Sequence, residues 1–172
     1  MDLITSTKEL WSDITKLLIK HNYNISTMES CTSGLVATLI TNEPGASAIM
    51  NGAFVTYSNE AKIKQGVREY IIDEYGVYST ETAIEMAKTC RCTYNSYIGI
   101  GITGVLDRID PVNITETKNI YYAISMGVGT QTYTITIPNN ITDRFERKFY
   151  VANVIGNTLY DQLYDIDTNE YK

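Results

Sequence analysis

Residues 28–62 read MESCTSGLVATLITNEPGASAIMNGAFVTYSNEAK, and the elements this stretch encodes decide the fold. Residues 23–27, just before it, have the composition of a short strand. Thr32 or Ser33 can then cap a helix that carries Leu35, Val36, Leu39 and Ile40 at helical spacing. Glu43, Pro44 and Gly45 form the turn that closes it. Beyond the turn, Ala53, Val55 and Tyr57 alternate with Phe54, Thr56 and Ser58, a strand that leads into a helix over 59–65. Strand, helix, strand and helix in quick succession indicate an α/β fold.

The flanks extend that pattern. Ser6 and Glu9 fit a capping box, and Leu10, Ile14, Leu17 and Leu18 repeat as one helix face that should end near His21 and Asn22. Downstream, a short helix over 68–75 stops at Gly76, and a longer one over 79–91 keeps Ala83, Ile84, Ala87 and Lys88 in register. Residues 97–102 are a compact apolar strand, followed by Thr103 and Gly104. The segments 119–126 and 131–137 read as a hairpin turning at 127–129. The tail over 141–164 is helical, with Phe145, Phe149, Val151, Val154, Ile155, Leu159 and Leu163 on its apolar side. The expected architecture is a three-layer-like α/β sandwich, helices around a mixed β-sheet, in one domain over 1–172.

Composition narrows the function. With 172 residues, 44% hydrophobic and 20% charged, the chain can bury a sizeable core. Its net charge of -6, with no basic stripe, argues against nucleic acid as a partner. The N-terminus lacks a basic region followed by an apolar one, and no apolar run reaches the ~18–20 residues of a bilayer span. A cytoplasmic protein without membrane contact is expected. Cys31, Cys90 and Cys92 are an odd set without CxxC spacing, so reduced thiols are expected rather than disulfides or a metal site. His21 is the single histidine; it reads as a polar cap at the end of the first helix rather than as a member of a Ser-His-Asp arrangement, and HExxH metal chemistry, which needs two histidines, is removed.

A serine nucleophile in this chain would need a base other than histidine. Ser47 follows the Pro44-Gly45 turn and Lys62 lies beyond the strand carrying Tyr57, so folding back across that strand could join them. A lysine removes a hydroxyl proton only when neutral, which requires its pKa to fall from about 10.4 towards 7. Tyr57 could relay a proton, and amides near Gly45 or Gly34 could hold an oxyanion. By spacing alone, Ser47 and Lys62 are more simply a turn serine and a solvated lysine. The run Glu29-Ser30-Cys31-Thr32-Ser33-Gly34 sits at a strand-to-helix junction, where amides and the Ser30 and Thr32 hydroxyls suit an anion or simply cap a helix. Cys31 reads as a packed thiol. Gly99, Gly101 and Gly104 make a glycine-rich turn that close backbone packing explains as well as a ligand does.

Taken in order, ESCTSG at 29–34, PGAS at 44–47, VTYSNEAK at 55–62 and GITG at 101–104 resemble the C-terminal domain of the competence-damage protein CinA. The resemblance covers essentially the whole chain. Stand-alone members of that family are nicotinamide-nucleotide amidases. The resemblance implies cofactor-free hydrolysis of the carboxamide of nicotinamide mononucleotide to nicotinate mononucleotide and ammonia. It places the nucleophile on Ser47, the base on Lys62 and a neighbouring tyrosine on Tyr57. Substrate-binding positions fall on Ser30, Thr32, Gly34, Thr103 and Gly104, with Arg108 in the segment that follows. A homo-oligomer, a dimer or larger, is also implied.

The chain departs from the family pattern in three places, one of them at 117–121, where Thr117-Lys118-Asn119-Ile120-Tyr121 replaces the family's KPVGT. Ser33 stands where the family has the first of two glycines, and the glycine-proline loop after Gly104 is replaced by Leu106-Asp107-Arg108-Ile109-Asp110. Acidic residues there oppose a phosphate, with Arg108 as a partial counterweight. The departure leaves three expectations: the nucleotide amidase, an amidase for a non-phosphorylated amide, and a catalytically diverged member that binds a nucleotide or a protein.

Overall fold

The computed structural model of the chain describes residues 2–107, 119–127 and 129–169. Five strands form one mixed sheet: β1 (Ile25–Glu29), β2 (Met50–Val55), β3 (Ile98–Gly104), β4 (Asn119–Met126) and β5 (Gly129–Thr136), in the order β2-β1-β3-β4-β5. β1 runs parallel to both β2 and β3, while β4 and β5 add as an antiparallel hairpin. Six helices accompany them: α1 (Leu3–His21), α2 (Leu35–Thr41), α3 (Asn59–Lys64), α4 (Glu69–Tyr75), α5 (Thr80–Thr93) and α6 (Arg144–Asn169). Every residue of β1 and β3 is buried, as expected for strands covered on both faces.

Strand alternation divides the interior in two. Ile25, Ile98, Ile100 and Ile102 point to the layer of α1, α2 and α6, where they join Trp11, Leu18, Val36 and Ile155. Met28 points the other way, to Val67, Ile72, Val77, Met86 and Cys90 around α4 and α5. Trp11 is fully buried and its indole N–H donates to the Ala152 carbonyl at 3.0 Å, fastening α1 to α6. The expected α/β sandwich around a mixed sheet is what the chain forms.

Several boundaries move for identifiable reasons. α1 begins before Ser6: the Asp2 carboxylate accepts from the Thr5 amide at 3.0 Å and its hydroxyl at 2.8 Å, and Ser6 Oγ bonds back to the Leu3 carbonyl. β1 starts at Ile25 rather than 23 because Asn22 and Tyr23 are occupied in ending α1. Asn22 is left-handed (φ 54°), and the Tyr23 amide donates to the Leu18 carbonyl.

The glycines of β3 serve packing. A Cβ on Gly101 would lie 2.3 Å from the Ala83 carbonyl oxygen and 2.4 Å from the Ala87 amide nitrogen, so α5 sits directly on the strand. Gly101→Ala should therefore lower unfolding free energy by about 2–3 kcal/mol. A urea midpoint unchanged from the parent protein would contradict this packing.

Candidate active site

The C-terminal ends of β1 and β2 bring three polar groups together. Glu29, the last residue of β1, is fully buried and its carboxylate accepts five hydrogen bonds. They come from the Thr27 hydroxyl (3.1 Å), the Thr32 hydroxyl (2.6 Å) and the amides of Gly34 (3.0 Å), Val36 (3.1 Å) and Ala37 (2.8 Å). A strand carboxylate thus satisfies the otherwise open amides that begin α2. The intervening turn is closed by the Ser33 amide on the Ser30 carbonyl at 3.1 Å, with Ser33 (φ 54°) and Gly34 (φ 86°) both left-handed. Ser30 is held on that turn, its own amide bonded to the Ile102 carbonyl at 3.0 Å.

Lys62 meets it from the opposite side. Ser58 caps α3, its Oγ accepting from the Ala61 amide at 3.0 Å, which turns the next residue inward. The Lys62 side chain is 1% exposed, and Nζ lies 2.9 Å from the Thr56 carbonyl and 3.2 Å from Ser30 Oγ. A primary amine within hydrogen-bond reach of a serine hydroxyl, sheltered from water, is a geometry in which a proton can pass between them. Thr56 is itself 1% exposed and its Oγ1 has no partner among the described residues.

The Ser47–Lys62 pairing expected from the sequence is not formed. Ser47 is exposed, in the short 3-10 turn Ala46–Ala48 that precedes β2. Strand pairing puts Met50 beside Ile25 and Val55 beside Glu29. The six residues of β2, at about 3.3 Å each, therefore separate Ser47 from the Lys62 end by roughly 15–20 Å. Spacing in sequence suggested a chain folding back; the strand instead runs straight between the two.

Other expected site residues have different partners. Tyr57 is 63% exposed and its hydroxyl accepts from Arg144 Nη2 at 3.1 Å, away from the amine. The Thr32 hydroxyl and Gly34 amide are committed to Glu29, so the start of α2 is filled by the chain's own carboxylate. Neither the Thr32 nor the Ser33 side chain provides the expected cap; the N-cap residue is Gly34. Thr103 is fully buried and donates to the Val77 carbonyl at 2.8 Å. Gly104 allows close strand pairing, since a Cβ there would meet Ile120 Cα at 2.5 Å. Arg108 lies outside the described residues. Burial, reinforced by the Glu29 charge, pushes the Cys31 thiol up to about 12, so it remains protonated and non-nucleophilic near neutral pH.

The start of α6 forms a charged rim beside the turn. Arg144 and Arg147 both donate to the Asp107 carboxylate, and Arg147 Nη1 also bonds the Leu106 carbonyl at 2.9 Å. One turn beyond Arg144, Lys148 Nζ lies 3.2 Å from Ser33 Oγ. Glu29 as an anchor, and Arg144, Arg147 and Asp107 as a cluster, are not among the residues expected from the sequence. The first was detectable as an acid closing a strand directly before a serine turn; the second joins positions 37 and 40 residues apart. A solvent-open depression of about 450 Å³ is lined by Lys8, Ser12 and Lys16 of α1 and by Glu43, just beyond α2, among others. Among the described residues no His, Cys, Asp and Glu cluster has the makings of a metal site, and no helix is long and apolar enough to cross a membrane.

The sequence profile described as the CinA C-terminal domain matches residues 7–147. A CinA-like protein of Fervidobacterium nodosum is 36% identical over 135 residues, covering 78% of this chain and 30% of that protein. A CinA-like protein of Chloroherpeton thalassium is 44% identical over 127 residues, 73% of this chain and 29% of its own length. The chain spans about a third of the length of the curated relatives it matches. Among solved structures, a competence/damage inducible protein from Agrobacterium tumefaciens superposes with a TM-score of 0.81 at 25% identity, covering 94% of this chain and 96% of that one. A CinA superfamily protein from Klebsiella pneumoniae gives 0.84 at 21% identity over 92% and 98%, a likeness of fold alone.

Proposed function

Because the chain belongs to the CinA C-terminal domain family, we propose that it is a serine–lysine amidohydrolase that removes ammonia from the carboxamide of nicotinamide mononucleotide or a related amide. The observation that carries this reading is the 3.2 Å approach of Lys62 Nζ to Ser30 Oγ in a nearly water-free setting. Ser30, rather than Ser47, is then the nucleophile.

The steps follow from that pair. Neutral Lys62 takes the Ser30 hydroxyl proton as Oγ bonds to the carboxamide carbon, giving a tetrahedral oxyanion. The amides of Ser33, Leu35, Val36 and Ala37 are bonded within the chain, as is that of Gly34. Cys31 and Thr32 are therefore the nearest backbone donors for the oxyanion. Lys62, now an ammonium, gives its proton to the departing nitrogen as the carbon–nitrogen bond breaks and ammonia leaves. Water then attacks the acyl-serine, losing a proton to Lys62, and the carboxylic acid product departs with Ser30 restored. The Thr56 carbonyl at 2.9 Å orients the amine throughout. Glu29 acts one step removed, holding the turn on which Ser30 sits.

The test is ammonia release from nicotinamide mononucleotide as a function of pH. A lysine base is active only when deprotonated, so kcat/KM should rise with pH until the amine is neutral and then level off. Tight binding without ammonia release at any pH would favour a non-catalytic binding module. A rate that falls as pH rises through neutrality would remove Lys62 as the base.

A further inference from the structure

We propose that Asp107 sets the substrate class of this site, acting as an internal counter-ion for Arg144 and Arg147 so that an amide-bearing nucleoside without a phosphate is accepted in preference to its phosphorylated form. The inference rests on the Ser30–Lys62 site as the place where the amide sits.

The geometry points to the rim because its members connect to that site through short links. Arg144 donates to the Asp107 carboxylate and, through Nη2, to the Tyr57 hydroxyl at 3.1 Å. Tyr57 directly follows Thr56, whose carbonyl holds the Lys62 amine. Lys148, one helical turn from Arg144, reaches Ser33 Oγ, and Ser33 closes the turn that carries Ser30. Three cations of α6 therefore stand on the side of the Ser30 turn, Arg147 joined to Arg144 through Asp107, in positions suited to an anionic group on a molecule whose amide lies at Ser30.

Two of the three already have their anion. Arg147 is largely withdrawn from solvent, its side chain 20% exposed, and Asp107 is 37% exposed between the two guanidiniums. A phosphate arriving here must either displace the carboxylate, leaving it without its partners, or share the arginines with a like charge. Both oppose binding, whereas an uncharged hydroxyl does neither. Nearby, the Asp143 carboxylate accepts the Glu146 amide at the start of α6, adding further negative charge on the same side. Tyr57 and Phe145 are exposed, at 63% and 57%, and offer ring faces suited to a flat base or a sugar rather than to a dianion.

Affinity measured in a Ser30→Ala background isolates recognition from turnover. The probes are nicotinamide mononucleotide and the corresponding nucleoside without its phosphate, titrated by calorimetry. The Ser30→Ala protein should bind the nucleoside at least as tightly as the nucleotide. Adding Asp107→Asn should tighten nucleotide binding about tenfold, or about 1.4 kcal/mol, and leave the nucleoside within about twofold. Asp107→Glu, which keeps the charge, should preserve the parental ratio and controls for loss of fold. An unchanged ratio in Asp107→Asn, a parental preference for the nucleotide of tenfold or more, or no binding of either probe would each overturn the proposal. Ammonia release from the nucleoside with an Asp107-independent ratio would leave the amidase reading standing. A shifted binding ratio without ammonia release by the wild type would do the reverse.

Discussion

Ser30→Ala should reduce ammonia release by on the order of a thousandfold or more, while Ser47→Ala should remain within about twofold of the parent. The two serines separate the readings cleanly because they occupy opposite ends of β2. Ser30 Oγ is the hydroxyl that Lys62 reaches, at 3.2 Å, and it is 6% exposed. On the proposed mechanism, removing it deletes the atom that bonds to substrate, and water cannot take its place with the same alignment. Ser47 lies exposed on the short turn before β2 and takes no part in that contact. Kinetics of both variants, with folding checked by circular dichroism, decide the matter. An inactive Ser47→Ala beside an active Ser30→Ala would return the nucleophile to the position that motif order alone implies.

Glu29→Ala should be the most destabilising single change at the site, by about 4–5 kcal/mol. The carboxylate is fully buried and accepts five hydrogen bonds, three of them from the Gly34, Val36 and Ala37 amides at the head of α2. Alanine leaves those donors, and the Thr27 and Thr32 hydroxyls, facing a small cavity without an acceptor. In a chain of this size about 2–4 °C of melting temperature accompanies each kcal/mol, so a fall of roughly 10–15 °C is expected. Glu29→Gln, which keeps the shape but presents an amide nitrogen to some of the same donors, should fall between the two. A Glu29→Ala protein melting within about 2 °C of the parent would show that the turn is held by something else.

These two residues also show where sequence reasoning succeeds and where it stops. The elements were legible because each is written locally. Leu10, Ile14 and Leu18 recur at helical spacing, Ser79 caps α5, and Gly76 ends α4. Lys62 was legible as a candidate base, but the hydroxyl it lies against was not. Ser30 and Ser47 both follow turn-like segments at plausible distances from it, and nothing local ranks them. The choice depends on the register of β2 against β1 and on the inward turn of α3, both products of the assembled sheet. The start of α2 reads as an anion site because its amides are open in isolation, yet in the folded chain Glu29 fills it.

The order of apolar and turn residues was sufficient to specify helices, strands and their layering, since periodicity expresses which side of each element must leave water. Which hydroxyl lies against the amine, and which carboxylate neutralises the arginines of α6, was decided only by tertiary structure. Those contacts join residues 32 and 37 or more positions apart. Their free energy comes from burial and alignment that exist only once the sheet and both helix layers have closed around them.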